Sequence, residues 1–547
     1  MSIGSITPWN LGELVRSRNY HYLLHAVSVP EKDPVCNDLW QNYTEEMRNM
    51  EGNIFIIDGK KVTMEFQPSA DMAWQMHVAG ELNAAATHPS LYAHDLHKSE
   101  LHCMNESIGH KETDKWHPPT EESRTRDLKR LTNFRATLPS DLSEKVRHDR
   151  VLEFMAKNSM RQFREPIIGM HFVTLLRPEP FHTEVNAQEH LLNLIYQEAD
   201  KRNIMEEFLN ALSTGVEAGG CGLNSVSSSV REHYDAEATR SNALATRLIG
   251  EQAIKLAKYG YRLADLFHVE SENDAVYYKY LVICKLVETL RDIGSLINRF
   301  NKVNQNYPSE VHRLCRMYHN LVSLFFNERC NLTVWTITVA ISYHVQKLYE
   351  KTGFGYGIIS MQGKESKHSS IKKMLKSETN QSNDSETGKW MQIFKLCNLK
   401  QFHMPNNNYH SHSTSRIPVF TDTEPRCHCS RILTDGFSCK VCTRVQRLVD
   451  HAMDALIDPE VEKVVKPYLC KQCQKRFADS TLYIKHTKEH VSIKVKPKPS
   501  TNKESINVKK CSVIQLQQHL KERGLETNGT KDILQNRLEK HFLMKEY

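Results

Sequence analysis

The chain of 547 residues has no apolar run long enough to span a bilayer, and it does not open with the basic-then-apolar layout of a secretory signal. No membrane partner is expected, and the 14 cysteines are expected in a reducing compartment. There, clustered cysteines bind metal and scattered ones are plain thiols. Cys36, Cys103, Cys221, Cys284, Cys315, Cys330, Cys397 and Cys511 are read as such thiols. A phosphate-binding loop is missing as well. Gly215-Val-Glu-Ala-Gly-Gly-Cys-Gly222 has neither the lysine nor the strand–turn–helix setting of one, and reads as a flexible connection. Histidines between residues 110 and 330 show no pairing at ligand spacing. Excess positive charge is absent from most of the chain. Residues 463–547 carry 19 Lys and Arg against 8 Asp and Glu, more than the whole formal net charge of +7, so the remainder is slightly acidic. A basic tail on an acidic body fits a tail that meets a polyanion.

What is present is a soluble composition, 39% hydrophobic and 25% charged, on a chain long enough for about three domains or more. The sharpest motif is Tyr468-Leu-Cys470-Lys-Gln-Cys473, followed by Phe477, Tyr483, His486 and His490. Two cysteines two residues apart suit the bend of a β-hairpin. Two histidines at i and i+4 share one helix face, so all four side chains can meet one tetrahedral zinc ion. Phe477 and Tyr483 fall where so small a unit needs its apolar core, which is too small to fold without the metal. A C2H2 zinc finger is therefore expected over 468–490. Counting back from His486, the base-facing positions are Asp479, Thr481, Leu482 and Lys485. One finger reads about three base pairs, and a lone finger also serves as a protein-binding module; both uses stay open.

Upstream, Cys427-His-Cys429 and Cys439-Lys-Val-Cys442 flank Asp435-Gly436, as in a four-thiolate zinc ribbon over 426–446, with His428 able to replace one ligand. A redox Cys-x-x-Cys would need a βαβ setting that the pattern does not supply. Residues 401–425, including His410 and His412, read as a mobile linker. Residues 1–50 have a mostly helical pattern. Ile54–Ile57 and the run after Asp58-Gly59 form a hairpin signal, and helical apolar spacing dominates 110–330.

Two carboxylates admit two readings. Asp71, at the end of a β-rich run, could be a helix N-cap or a metal-binding carboxylate, and Glu365 could be a surface Glu beside His368 or a catalytic one. The segments Asp71-Met-Ala-Trp…Gly80…Ala84-Ala…Pro89 and Gly353-Phe-Gly-Tyr-Gly…Ser360-Met-Gln-Gly-Lys-Glu365-Ser-Lys-His368 resemble blocks in transposase-derived proteins of invertebrate genomes. The resemblance extends over roughly 30–450. It implies an RNase H-like α/β body over 1–400 with a large helical insertion at about 110–330, Asp71 and Glu365 being the second and third members of an Asp-Asp-Glu site. Departures accompany it. Ser90 and Ala93 stand where the family has a zinc-binding Cys pair, and no counterpart of the first Asp lies upstream of Asp71. Two-metal chemistry needs carboxylates that bridge both ions. The expectation is a degenerate fold without activity, magnesium being required only if it is an active transposase or nuclease.

After a basic linker at 491–510, residues 511–545 alternate as two amphipathic helices around Arg523-Gly524-Leu and Gly529-Thr-Lys531, with Val513, Leu516, Leu520, Leu525, Ile533, Leu534 and Leu538 as the expected core. This stretch resembles the SAP motif along its length, which implies binding to DNA, typically AT-rich. Lys521, Lys531, Arg537 and Lys540 are the natural phosphate contacts. A nuclear, zinc-dependent DNA-binding protein is the expectation, with protein partners or a homodimer left open.

Overall fold

The computed structural model describes residues 2–8, 17, 21–27, 29–109, 113–236, 243–244, 246–271, 274–377, 386–403, 414–433, 439–478, 480–494, 512–522 and 525–544. It divides into two compact units, Met1–Pro467 and Tyr468–Tyr547.

The first unit is mostly helical. Its organising element is the Ala275–Ile297 helix, in which Leu281, Val282, Ile283, Cys284, Leu286, Val287, Leu290 and Ile293 are all buried. That pattern is apolar all round rather than on one stripe, so helices must cover every side. Pro180–Lys201, Gly250–Tyr259, Tyr307–Phe325 and Lys440–Met453 do so, in one hydrophobic cluster running from Val185 to Val465. At about 1.5–3 kcal/mol for each large side chain removed from water, this core dominates the stability of the unit. A second cluster joins Trp74, Trp116 and Trp335, with the indoles of Trp116 and Trp335 packed edge to face at 5.5 Å. A two-helix arm, Glu121–Thr137 and Glu144–Lys157, has its own small core of Leu131, Val151, Met155 and Met160. It is keyed in by the buried Glu81, which pairs with both Arg124 and Arg161.

Several expectations change. The first fifty residues are not all helical: Ser2–Ile6 pairs antiparallel with Tyr22–Val27 before the Pro34–Met50 helix begins. Alternation in Tyr-Leu-Leu-His-Ala-Val prevails over the helical pattern because Leu23 packs on Ile371 and Met374 of a distant helix. The Asp58-Gly59 hairpin forms as expected, with φ of 49° and 73° at the turn. The sheets among the described residues are three two-stranded antiparallel pairs, so the α/β layering expected of the body is not what they present. The glycine cluster is an ordered turn. Cys221 is buried and bonds through its N–H to Ala211 O, and Arg262 donates to Val216 O. Gly219 and Gly222 supply positive φ there, which is what glycine was needed for.

The expected linker is also partly built in. His410 and His412 lie outside the described residues, but residues 414–433 lie along the helical body. Arg416 is fully buried and grips Glu184 at 2.8 and 2.9 Å, while its N–H reaches Ser295 Oγ.

In the second unit, Tyr468–Leu469 and Arg476–Phe477 form a short antiparallel pair ahead of the Ser480–Lys494 helix. Helices Val513–Glu522 and Lys531–Met544 form a separate hairpin of their own, closed by Leu516, Leu520, Leu534 and Leu538.

Candidate metal centres and nucleic-acid interface

Asp71 and Glu365 come into one neighbourhood although 294 positions separate them. Asp71 is the N-cap of the Met72–Val78 helix, its Oδ1 accepting from Trp74 N–H at 2.9 Å, so the local reading of this residue holds. Just before it, Ser69 Oγ donates to Ile359 O at 2.6 Å, which fixes this segment against the approach to the Glu365 helix. Glu179 closes the arrangement. Its carboxylate accepts from the N–H groups of Phe181, His182 and Met361 and from His182 Nδ1 at 2.7 Å.

Glu365 lies between two imidazoles, with Oε1 4.0 Å from His182 Nε2 and 3.6 Å from His368 Nδ1. Burial disfavours the charged form of His182, but Glu179, Glu365 and Asp71 together outweigh it and raise its pKa. Burial lowers the pKa of Lys364 against the same carboxylates and Glu31. His368 is pushed down to about 4, by burial and then by Lys364. Glu31, Glu179 and His182 were not singled out in the sequence, where they fit no motif, and Lys364 figured only as part of the Glu365 block without a role of its own. Groups that bring three or more ligand atoms within 4.8 Å do occur among the described residues, and neither Asp71 nor Glu365 belongs to one.

Cys427, Cys429, Cys439 and Cys442 do form such a group. The sulfurs of Cys427 and Cys442 are 3.6 Å apart and those of Cys429 and Cys439 3.5 Å. Four thiolates about 2.3 Å from a tetrahedral centre would be separated by about 3.8 Å, so the set fits zinc. A bend at 427–431, closed by Cys427 N–H to Arg431 O, presents the first pair, and the start of the Lys440–Met453 helix presents the second. Hydrogen bonds from Cys439 and Cys442 lower the pKa of Cys429, with Arg431 adding to the effect. His428 turns instead to Asp292, its Nε2 2.7 Å from Oδ2, so the four-sulfur group is complete without it. The expected free-standing ribbon is part of the helical body. Arg291 bonds Ser430, Arg431 pairs with Asp265, and Cys442 Sγ lies 3.9 Å from Glu288.

Cys470, Cys473 and His486 form the corresponding group in the second unit, with Cys473 Sγ 3.1 Å from His486 Nε2. Gln474, at φ 60°, bends the chain so that Cys470 N–H meets Lys475 O. The N–H of Cys473, aided by that of Gln472, points at the Cys470 sulfur and lowers its pKa. Phe477 packs on His486 with ring centres 4.7 Å apart, and Tyr468 stacks on Tyr483. Three of the four expected ligands are thus brought together on a ββα scaffold. The side chain of His490 and the whole of Asp479 lie outside the described residues. Thr481, Leu482 and Lys485 are exposed on the helix, as base-facing positions must be.

The C-terminal hairpin starts with a reciprocal cap, Ser512 N–H to Gln515 Oε1 and Gln515 N–H to Ser512 Oγ. Gly529 takes a φ of 137° in the turn between its helices. Residues 507–543 are a SAP domain. A search of curated proteins finds no match to the chain. Within the SAP domain Lys521 and Lys531 are exposed, and the Lys540 side chain lies outside the described residues. Arg537 is committed elsewhere. Its Nη1 donates to the carbonyls of Glu526 and Asn528, so it ties down the turn of the domain. Val513 and Ile533, expected in the SAP core, are exposed at 39% and 47%, because four leucines already close a core this small.

Proposed function

We propose that this protein binds duplex DNA, with the SAP domain as its principal grip, the finger as a zinc-dependent second contact, and AT-rich sequence as the preferred target. The observation that carries this reading is the SAP domain at 507–543, since SAP domains generally bind DNA. It is supported by exposed Lys521 and Lys531 on that domain and by the basic balance of the tail. Zinc supplies structure in this reading, holding Cys470, Cys473, His486 and His490 in one centre and the four-cysteine group in the other. The body is a transposase derivative without catalytic activity, and the protein acts in the nucleus.

The test is binding of the full chain to random and AT-rich duplexes across a salt series, with and without a chelator. Tight binding that falls steeply with salt is expected, and replacing both Lys521 and Lys531 by Ala should reduce the log–log slope by about 0.9 for each phosphate that is no longer neutralised. Absence of binding at low salt would end the reading.

Two further readings have observations behind them. Asp71 and Glu365 share a neighbourhood, which suits a magnesium-dependent nuclease or transposase. Nicking of DNA with magnesium that disappears in D71N or E365Q would establish that activity. Ile514 on the SAP domain and Leu482 on the finger helix are exposed apolar side chains, at 76% and 57%. They suit a scaffold role with protein partners or a homodimer, for which weak, salt-insensitive DNA affinity would speak.

A further inference from the structure

A cavity of about 490 Å³ opens in the first unit between the loop at 105–108, the Tyr307–Phe325 helix and the start of the Ile341–Thr352 helix. Its size is that of ordinary small-molecule sites. Two backbone irregularities border it. Residues Thr336–Ala340 make a turn of π-helix, and Thr338 and Val339 from that turn line the cavity. Such turns are costly and recur at functional sites. Across from them, Asn105 adopts φ 59°, the left-handed region that Asn tolerates better than most non-glycine residues.

The lining holds one cation, fixed in place, beside a His312 that burial and then Arg316 keep toward its neutral form. Arg316 donates through Nε to Asn105 Oδ1 at 2.7 Å and through Nη2 to Met453 O at 2.9 Å. These partners are neutral, and Arg316 has no carboxylate within 4.0 Å among the described residues, so its charge is oriented without being neutralised. Asn320 locks the same acceptor from the other side, giving Nδ2 to Asn105 Oδ1. His312 contacts Ser342 Oγ through Nδ1, leaving Nε2 for another partner. Ser107, Ser309, Tyr343 and Gln346 add polar groups, and the one carboxylate of the lining is Glu106, at the exposed rim.

We propose that this cavity binds a small phosphomonoester of nucleotide or sugar-phosphate size, its phosphate held by Arg316 and His312. A guanidinium held on two sides by neutral oxygens is pre-organised for a phosphate and loses little freedom on binding it. Exposed Ser309, in the first turn of its helix, gives a variant that blocks the site without disturbing the fold. A glutamate there repels phosphate while favouring the helix N-terminus.

The experiment is calorimetric titration of the full chain with inorganic phosphate, ribose 5-phosphate, AMP and adenosine. AMP or ribose 5-phosphate should bind and adenosine should not. Preference for AMP identifies a nucleotide site, and equal binding a sugar-phosphate site. R316Q and S309E should each weaken binding by about tenfold or more, the loss expected for a charge-assisted contact. If R316Q fails to fold, S309E decides alone. No heat from any phosphate probe at millimolar concentration, equal binding of adenosine, or unchanged binding in S309E would overturn the proposal. So would displacement of AMP by duplex DNA, which would make the cavity part of a DNA surface.

Discussion

Cys427, Cys429, Cys439 and Cys442 converge on the flank of a helix that is buried almost all round, whereas Cys470, Cys473 and His486 converge in a segment supported by Tyr468, Phe477 and Tyr483. The same ligand chemistry therefore has two structural settings. In the body, a metal would be added to a fold that dozens of buried side chains already hold, and the thiols are further secured by Arg431, Ser430 and Glu288. In the tail, three aromatic rings cannot offset the entropy of ordering some twenty residues, so under the proposed reading metal binding and folding would be one equilibrium.

That contrast can be broken most directly at the ligands. In C473S the finger should lose its structure completely, because structural zinc contributes on the order of 10 kcal/mol to such units. C442S should leave the body folded with a lower melting temperature. Zinc stoichiometry and limited proteolysis of the two full-length variants would check this. Global unfolding of C442S would show that the body, too, depends on its metal.

Next in size is Arg416, which secures the 414–433 segment against the body. R416M leaves Glu184 as a buried, unpaired carboxylate and should cost about 3–5 kcal/mol in denaturant unfolding. The double variant R416M/E184L should recover most of that loss, since an apolar pair of similar volume is nearly neutral in such a place. Failure to recover would mean that the segment is held by something other than this pair.

The smallest effect is in pH. Burial, the larger cause, lowers the pKa of His319 to about 4 in the body, against a hydrogen bond to Cys103 O that acts the other way. The unfolded chain takes up a proton near pH 6.5 that the folded chain refuses. Stability should therefore fall as pH drops from about 6.5 toward 4 and be unaffected by this group above that range. H319Q should flatten that slope in thermal melts of the body without altering the tail. An unchanged slope would place the acid sensitivity in other groups.

The modules of the tail were legible because their rules are local. Cys470, Cys473 and His486 need only a short chain to come together, and leucines at i,i+4 in two short helices find each other across one turn. Even there, the sequence over-assigned the core: Val513 and Ile533 have the right periodicity, but four leucines use up the available interior. Arg537 likewise has the charge of a phosphate contact, and only the turn geometry gives its guanidinium to two carbonyls.

The body was legible in its helical middle, not in the α/β layering expected of it, and much less in its contacts. No spacing rule joins Glu179 to Met361, Ser69 to Ile359 or Arg416 to Glu184, since these pairs are separated by 182, 290 and 232 positions. By itself the sequence determined the finger spacing, the SAP hairpin, the Asp-Gly turn and the basic tail, all of which depend on neighbours along the chain. Tertiary structure alone decided that the four-cysteine group belongs to the body, that residues 414–433 are anchored rather than free, and that Glu179, His182 and Lys364 accompany Asp71 and Glu365. Those outcomes depend on which distant surfaces become buried together, and burial is a property of the packed chain rather than of any stretch within it.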